Sequence, residues 1–319
     1  MSDFHKEREE ESEKRLEEVK KDLPNFCEKF FVGISQTTTP LTRLNYAYEL
    51  RLFFEFMDNE IKEVKDLEKI KPFDIELFIS KTGNGERGKS RKLACLRTFF
   101  NYFYRRDELS NNVVTKVDMP KLHEKPIVRL EQSEMHELLD LVSDGNGLTR
   151  RQQVYHTYTS LRDTTIVIFF LATGIRISEL VGLNVGDVDL EKGSFKVTRK
   201  GGNQTILYMP DQLREQLTLY LGWDQGDPDA PLFMSIQNNR IGVRAVQNLV
   251  KKYARLSVPL KNISPHKLRS TFGTNLYRST KDIYIVADVL GHRDVNTTKK
   301  HYAAISEDVR QEAAKKVKI

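Results

Sequence analysis

Prolines at 120 and 126 frame MPKLHEKP, a stretch without apolar periodicity that divides the chain into two unlike halves. The chain has 319 residues, about twice a typical domain of roughly 150 residues, so the break predicts two packed bodies. We place a helical domain at 23–120, a linker at 121–127 and a second domain at 128–319. In the first, Leu41, Leu44, Tyr48 and Leu52, and again Leu93, Leu96, Phe100 and Phe103, recur at three- and four-residue steps, the period of packed helices. Gly83, Gly85 and Gly88 interrupt that pattern within GNGERGKSRK. Residues 1–22 hold nine acids against six bases, with only Leu16 and Val19 as apolar anchors, and read as an acidic, solvated helical extension ending before Pro24.

The second half changes period. Met135, Leu138, Leu139 and Val142 mark a helix, SDGNGLTRRQQ reads as a polar loop near 144–160, and TTIVIFFLA is an apolar helix stopped by Gly174. After a short helix ending near Leu183, the runs DVDL, SFKVT and QTILYMP are separated by the turns EKG and RKGGN. They predict a small three-stranded antiparallel sheet with a lysine at one hairpin tip. From Asp211 onward the pattern is five or six helices, so the fold class is mainly α with one small sheet.

Composition narrows the function classes. No apolar run approaches a membrane span. The first residues have neither the apolar core nor the cleavage site of a secretion signal, so a cytoplasmic location and no membrane partner are expected. Cys27 and Cys95 have no metal-ligand spacing and read as buried thiols. The net charge is +6, with the basic excess after residue 120, and a pI near 9.0 suits a polyanion partner, although charge alone would equally suit a merely soluble protein.

Five local signals carry chemistry. In ATGIRISEL, Arg176 follows a glycine-ended helix and Glu179 stands three residues on, as a brace for the guanidinium or a surface ion pair. Lys200 in VTRKGGNQ is at a hairpin tip. In SPHKLRSTFGTNLY, His266 and Arg269 share a helix face after Pro265. His292 follows Gly291 at a helix end, where a histidine can simply cap, and Tyr302 follows ten residues later, where a tyrosine can simply pack. Together, two arginines, two histidines, a lysine and a tyrosine are what metal-free phosphodiester transesterification requires. Guanidinium and imidazole hold the non-bridging oxygens as the phosphorus becomes five-coordinate. A tyrosine oxygen stores the bond as an ester, and a lysine protonates the departing sugar oxygen.

The strings ATGIRISEL, RKGGNQ, SPHKLRSTF and LGHRDVNTTKKHY, in this order, resemble the tyrosine recombinase (phage integrase) family. TTPLTRLNYAYELRLFFEFM and KSRKLACLRTFFNYFYRRDELSNNVV resemble the two helical segments of its core-binding domain. The resemblance implies that Arg176 and Arg269 bind the scissile phosphate and that Lys200 is the general acid toward the 5′ oxygen. It implies that His266 assists proton transfer, that His292 bonds a non-bridging oxygen, and that Tyr302 attacks to leave a 3′-phosphotyrosyl link. Glu179 would support Arg176, and neither a metal nor another cofactor is implied. Two positions depart from the family pattern. Ser270 stands where histidine is common, and the spacing of ten from His292 to Tyr302 exceeds the nine common in the Xer branch, which would fall on His301. Tyr302 is the only tyrosine after His292.

The resemblance further implies a C-shaped clamp around duplex DNA carrying a specific core site. Thr42, Arg43, Tyr46, Arg87, Lys89, Ser90, Arg91 and Arg97 would meet DNA from the first domain, and Arg240 and Arg244 from the second. A solvated basic face is the alternative reading of that helix. The stripe Ile305, Val309, Ala313 and Val317 could fold back on its own core. By resemblance it docks instead into a neighbouring protomer of a tetramer on two DNA sites, formed by this chain alone or with a related recombinase. Twenty-two acidic-rich residues cannot form an arm-binding domain, so the chain resembles compact Xer-like recombinases. These resolve chromosome or plasmid dimers or move mobile elements. A catalytically inactive architectural relative and a nicking-closing topoisomerase remain as other readings.

Overall fold

Charge does not keep the first helix in solvent. In the computed structural model, which describes residues 3–60, 66–82, 85–123, 128–199, 202–222, 226–292, 294–296 and 298, helix α1 (Asp3–Lys20) lies along α3 (Pro40–Glu60), with α2 (Cys27–Ile34) between them in the chain. Leu16, Val19 and Leu23 are buried in the core of the amino-terminal unit. Glu13 accepts a hydrogen bond at 2.7 Å from Arg43, a buried guanidinium that also donates to the Ser35 and Thr38 carbonyls at 2.9 and 2.8 Å. The expectation of a solvated extension at 1–22 is therefore corrected. Leu16 and Val19, with Leu23 just past the last turn, and ion pairs from Glu13 to Arg43 and from Lys20 to Glu28 fasten a helix whose other faces remain charged.

The unit (Met1–Lys125) is completed by α4 (Pro72–Lys81) and α5 (Gly85–Tyr104). Its core is aromatic, with edge-to-face pairs such as Phe30–Phe99 at 5.1 Å, Phe53–Phe78 at 5.2 Å and Phe99–Phe103 at 5.1 Å. Leu93, Leu96, Phe100 and Phe103 are buried as expected. On α3 the expected stripe is corrected: Leu44 points inward, but Leu41, Tyr48 and Leu52 are exposed. The larger payload of Leu50, Phe53, Phe54 and Met57 selects the inward face instead. Cys27 and Cys95 are buried free thiols, and burial pushes both up in pKa. Because Leu16 is enclosed, Leu16→Ala is expected to lower stability by about 2–4 kcal/mol in urea denaturation, whereas a truly solvated helix would show almost no change.

The second unit (Pro126–Ile319) is built on α7 (Arg150–Thr173), preceded by α6 (Gln132–Asp144). The expected polar loop at 144–160 is corrected, because Thr149 and Gln152 cap α7 reciprocally, at 3.0 and 3.4 Å, and start it at Arg150. The last turns of α7 are enclosed, Ile166 to Phe170 being buried in succession, and Phe169 meets Phe195 at 4.9 Å. After α8 (Ile177–Val181) come β1 (Val188–Asp189), β2 (Ser194–Thr198) and β3 (Gln204–Tyr208), an antiparallel sheet ordered β1-β2-β3. Four helices follow among the described residues: α9 (Asp211–Leu221), α10 (Val243–Ser257), α11 (Pro265–Thr280) and α12 (Ile283–Leu290). The stripe at 305–317 and residues 124–127 of the expected linker lie outside the described residues. No helix among them is long and apolar enough to cross a membrane.

Candidate active site

Glycine makes the first corner. Helix α7 ends on Gly174 in the left-handed region (φ 62°), and an added Cβ would lie 2.4 Å from Phe272 Cδ1 and 2.9 Å from Leu290 Cδ2. Both conformation and space therefore demand glycine. The reversal places Arg176 at the start of α8, where its backbone N–H donates to Glu179 Oε2 at 3.0 Å and its Nη1 donates to Glu179 Oε1 at 2.7 Å. The Glu179 side chain is 4% exposed and that of Arg176 is 36% exposed, so a buried carboxylate braces a guanidinium that faces partly outward. Nη2 of Arg176 donates to the Gly291 carbonyl at 2.8 Å.

Arg269 reaches the same place from α11. It is buried, and its Nη1 and Nη2 donate to the carbonyls of Gly174 and Leu290. Arg199, at the end of the β2 arm of the hairpin, donates through Nη2 to the Val289 carbonyl at 3.1 Å. Three successive carbonyls at the end of α12, those of Val289, Leu290 and Gly291, thus each receive an arginine. The final carbonyls of a helix have no partner within it and carry its partial negative charge, so cations gather there. Burial pushes the Arg199 pKa down, the Glu179 and Asp288 carboxylates oppose the shift, and Arg176 adds to it.

The second corner is Gly291, left-handed at φ 60°, with the His292 N–H returning to the Ala287 carbonyl at 2.9 Å. His292 Nδ1 lies 2.7 Å from Thr298 Oγ1. An added Cβ on Gly291 would lie 1.2 Å from Arg199 Nη1, so the guanidinium occupies the space that a side chain would take. Gly291→Ala is expected to lose about 1–3 kcal/mol of stability from backbone strain and to expel Arg199; a urea midpoint equal to that of the parent would contradict this.

Arg176, Arg269 and His292 are thus gathered around the end of α12. His266 is exposed on the first turn of α11, and its carbonyl accepts from Ser270 Oγ at 3.0 Å. Lys200 and Tyr302 lie outside the described residues. The residues flanking Lys200 close the hairpin, Arg199 N–H donating to the Asn203 carbonyl at 2.8 Å and Gly202 N–H to that of Arg199 at 3.0 Å. Among the described residues no three His, Cys, Asp or Glu side chains gather as a metal site. Sequence reasoning passed over Arg199, whose one signal was its place beside Lys200.

Residues 129–308 match the model of the phage integrase family, and residues 28–107 match its N-terminal SAM-like domain. The chain belongs to the phage integrase family. Over 264 residues it is 31% identical to the tyrosine recombinase XerC of Thermodesulfovibrio yellowstonii, covering 79% of this chain and 82% of that one. It is 26% identical to XerC of Leptospira interrogans over 317 residues, 98% of this chain and 96% of the relative. The fold is similar to that of XerH in a post-cleavage complex with palindromic difH substrate (TM-score 0.68, 19% identity, 86% and 80% of the two chains). It is also similar to that of a lambda integrase dimer bound to a COC' core site (TM-score 0.65, 13% identity, 89% and 79%).

In this tyrosine recombinase, two of the arginines expected to face DNA turn inward. Arg43 is enclosed by Glu13 and two carbonyls. Arg240 stands before α10 and donates to the Val181 and Leu183 carbonyls at 2.9 and 2.8 Å and to Asn184 Oδ1 at 2.6 Å. Buried carbonyls outside regular ladders need donors, and a guanidinium supplies several. Tyr46 packs its ring 6.0 Å from Phe30, Thr42 Oγ1 lies 2.9 Å from Thr39 Oγ1, and Arg97 donates to the Val117 carbonyl at 2.7 Å. Arg87 is exposed, and Lys89 and Ser90 are half-buried. Arg91 is exposed and ion-paired with Glu49 at 2.6 Å. Arg244 is exposed on α10, on a polar face shared with Gln247, Asn248, Lys251 and Arg255.

Proposed function

We propose that this tyrosine recombinase cuts and rejoins duplex DNA at a specific core site through a 3′-phosphotyrosyl intermediate, without metal or nucleotide cofactor. The observation that carries the site assignment is the convergence of Arg176 and Arg269 on the neighbouring carbonyls of Gly291 and Leu290, directly before His292. An arginine has five N–H donors. Arg176, anchored by Glu179 and the Gly291 carbonyl, and Arg269, anchored by two carbonyls, are set in place in advance for the non-bridging oxygens of a phosphate.

The Tyr302 oxygen attacks phosphorus, and the bond from phosphorus to the 5′ oxygen breaks. His266 assists removal of the phenolic proton, and Lys200 protonates the leaving 5′ oxygen. Arg176, Arg269 and His292 hold the charge that accumulates in between. A 5′-hydroxyl from a partner strand reverses these steps, and the ester conserves the bond energy for rejoining. Arg87, Lys89, Ser90, Arg91 and Arg97, with Thr42, meet the duplex from the amino-terminal unit, and Arg244 meets it from α10. The working assembly is a tetramer on two DNA sites in the cytoplasm. The relatives' names and DNA-bound neighbours support duplex DNA as the partner.

Incubation with nicked duplexes carrying sequence that flanks the gene, in chelator, tests the reading. The expected product is a protein–DNA adduct on a denaturing gel, joined through the 3′ phosphate and leaving a free 5′-hydroxyl. Salt-sensitive binding with no adduct on any such duplex would instead fit an architectural protein, and relaxation of any supercoiled plasmid regardless of sequence would fit a topoisomerase.

A further inference from the structure

The β2–β3 hairpin carries Lys200 directly after Arg199, and Arg199 is the residue by which this hairpin grips α12. Its backbone closes the turn with Asn203 and Gly202. Its side chain leaves the sheet, fills the space over Gly291 that a Cβ would need, and bonds the carbonyl of Val289. The next two carbonyls in that row are the ones that hold Arg269 and Arg176. We infer that Arg199 is a positioning residue that sets the hairpin bearing the general acid in register with the two phosphate-binding arginines, using the end of α12 as the common ruler.

The physical case rests on reach. A general acid works only within hydrogen-bond distance of the atom it protonates, and the strand pairing of β2 with β3 ends at Thr198 and Gln204. Beyond that pair, the Arg199 side chain is the described link from the hairpin to the row of carbonyls. A gap of about 1 Å at a reacting group costs on the order of 100-fold. The loss expected on cutting this link is therefore one of rate and not of DNA affinity.

This inference rests on Lys200 being the general acid, and the test separates the two. Duplexes are made with sulfur in place of the 5′ bridging oxygen at the scissile phosphate; a thiol is acidic enough to leave as thiolate and needs no proton donor. Single-turnover cleavage of the oxygen and sulfur duplexes is compared for the parent, Lys200→Ala, Arg199→Ala and Arg176→Ala, with DNA binding measured on the same samples. Arg199→Gln, which keeps much of the stem over Gly291, is carried alongside in case the alanine variant does not fold.

On the oxygen duplex, Arg199→Ala is expected to cleave about 10- to 100-fold more slowly than the parent with binding retained. On the sulfur duplex it should recover to near the parental rate, as Lys200→Ala does, while Arg176→Ala remains slow. Rescue of Lys200→Ala without rescue of Arg199→Ala overturns the positioning role and leaves the general acid standing; it would make Arg199 a phosphate ligand instead. Parental cleavage by Arg199→Ala on the oxygen duplex overturns it as well. Rescue of neither variant removes the general-acid reading and this inference with it.

Discussion

Tyr302→Phe is expected to eliminate the covalent adduct while changing affinity for the duplex by less than about twofold, since affinity for DNA comes chiefly from many phosphate contacts. The substitution removes one oxygen, the atom proposed to form the ester, and keeps the ring. No other tyrosine follows His292, so no neighbour of the same chemistry stands ready to replace it. The spacing of ten residues from His292 gives the experiment a second edge, because a spacing of nine would fall on His301. Denaturing gels on nicked duplexes, read beside a binding titration at two salt concentrations, decide the matter. An adduct that persists in Tyr302→Phe removes Tyr302 as nucleophile.

Arg269→Lys should have the next largest effect, through stability and rate together. Lysine keeps the charge but replaces a planar fork by a single ammonium, which cannot reproduce two parallel donors to the carbonyls of Gly174 and Leu290. One of those buried acceptors loses its partner, at a cost of about 1–3 kcal/mol. The ends of α7 and α12 then lose their shared tie. Cleavage should fall by about 100- to 1000-fold, the loss typical of removing a donor that stabilises developing oxyanion charge. Binding should weaken far less, since one phosphate among many is affected. Arg176→Lys, at a half-exposed position braced by Glu179, should show a comparable rate loss with a smaller shift in urea midpoint. Near-parental cleavage by Arg269→Lys would mean that the residue only holds the helices together.

Much of this was legible in the chain because special backbone leaves a mark. Gly174 and Gly291 each sit where φ is positive and a Cβ has no room, and the glycine in ATG and LG advertises it. The strands showed themselves through short β-branched runs between glycine turns. Inward-turning charge left no such mark. Arg43 and Arg240 look like surface arginines in sequence, and only the fold reveals the carbonyls that face them. Helix α1 was hidden for a related reason: its anchors Leu16 and Val19 are sparse, and its ion pair to Arg43 spans 30 residues. The first turns of α7 are polar and mostly exposed, so their helicity resides in the Thr149–Gln152 cap and not in a hydrophobic stripe. Arg199 belongs to the same class, because its partner lies 90 residues away.

The hydrophobic core of the amino-terminal unit, α1 included, is assembled from residues that end at Val117. On a ribosome adding about 5–20 residues per second, that core is synthesised roughly 10–40 s before Tyr302, 185 residues further on. The amino-terminal unit can therefore mature first, before the tyrosine proposed as nucleophile is added. A message cut short between them leaves an amino-terminal unit with its whole core but without that tyrosine.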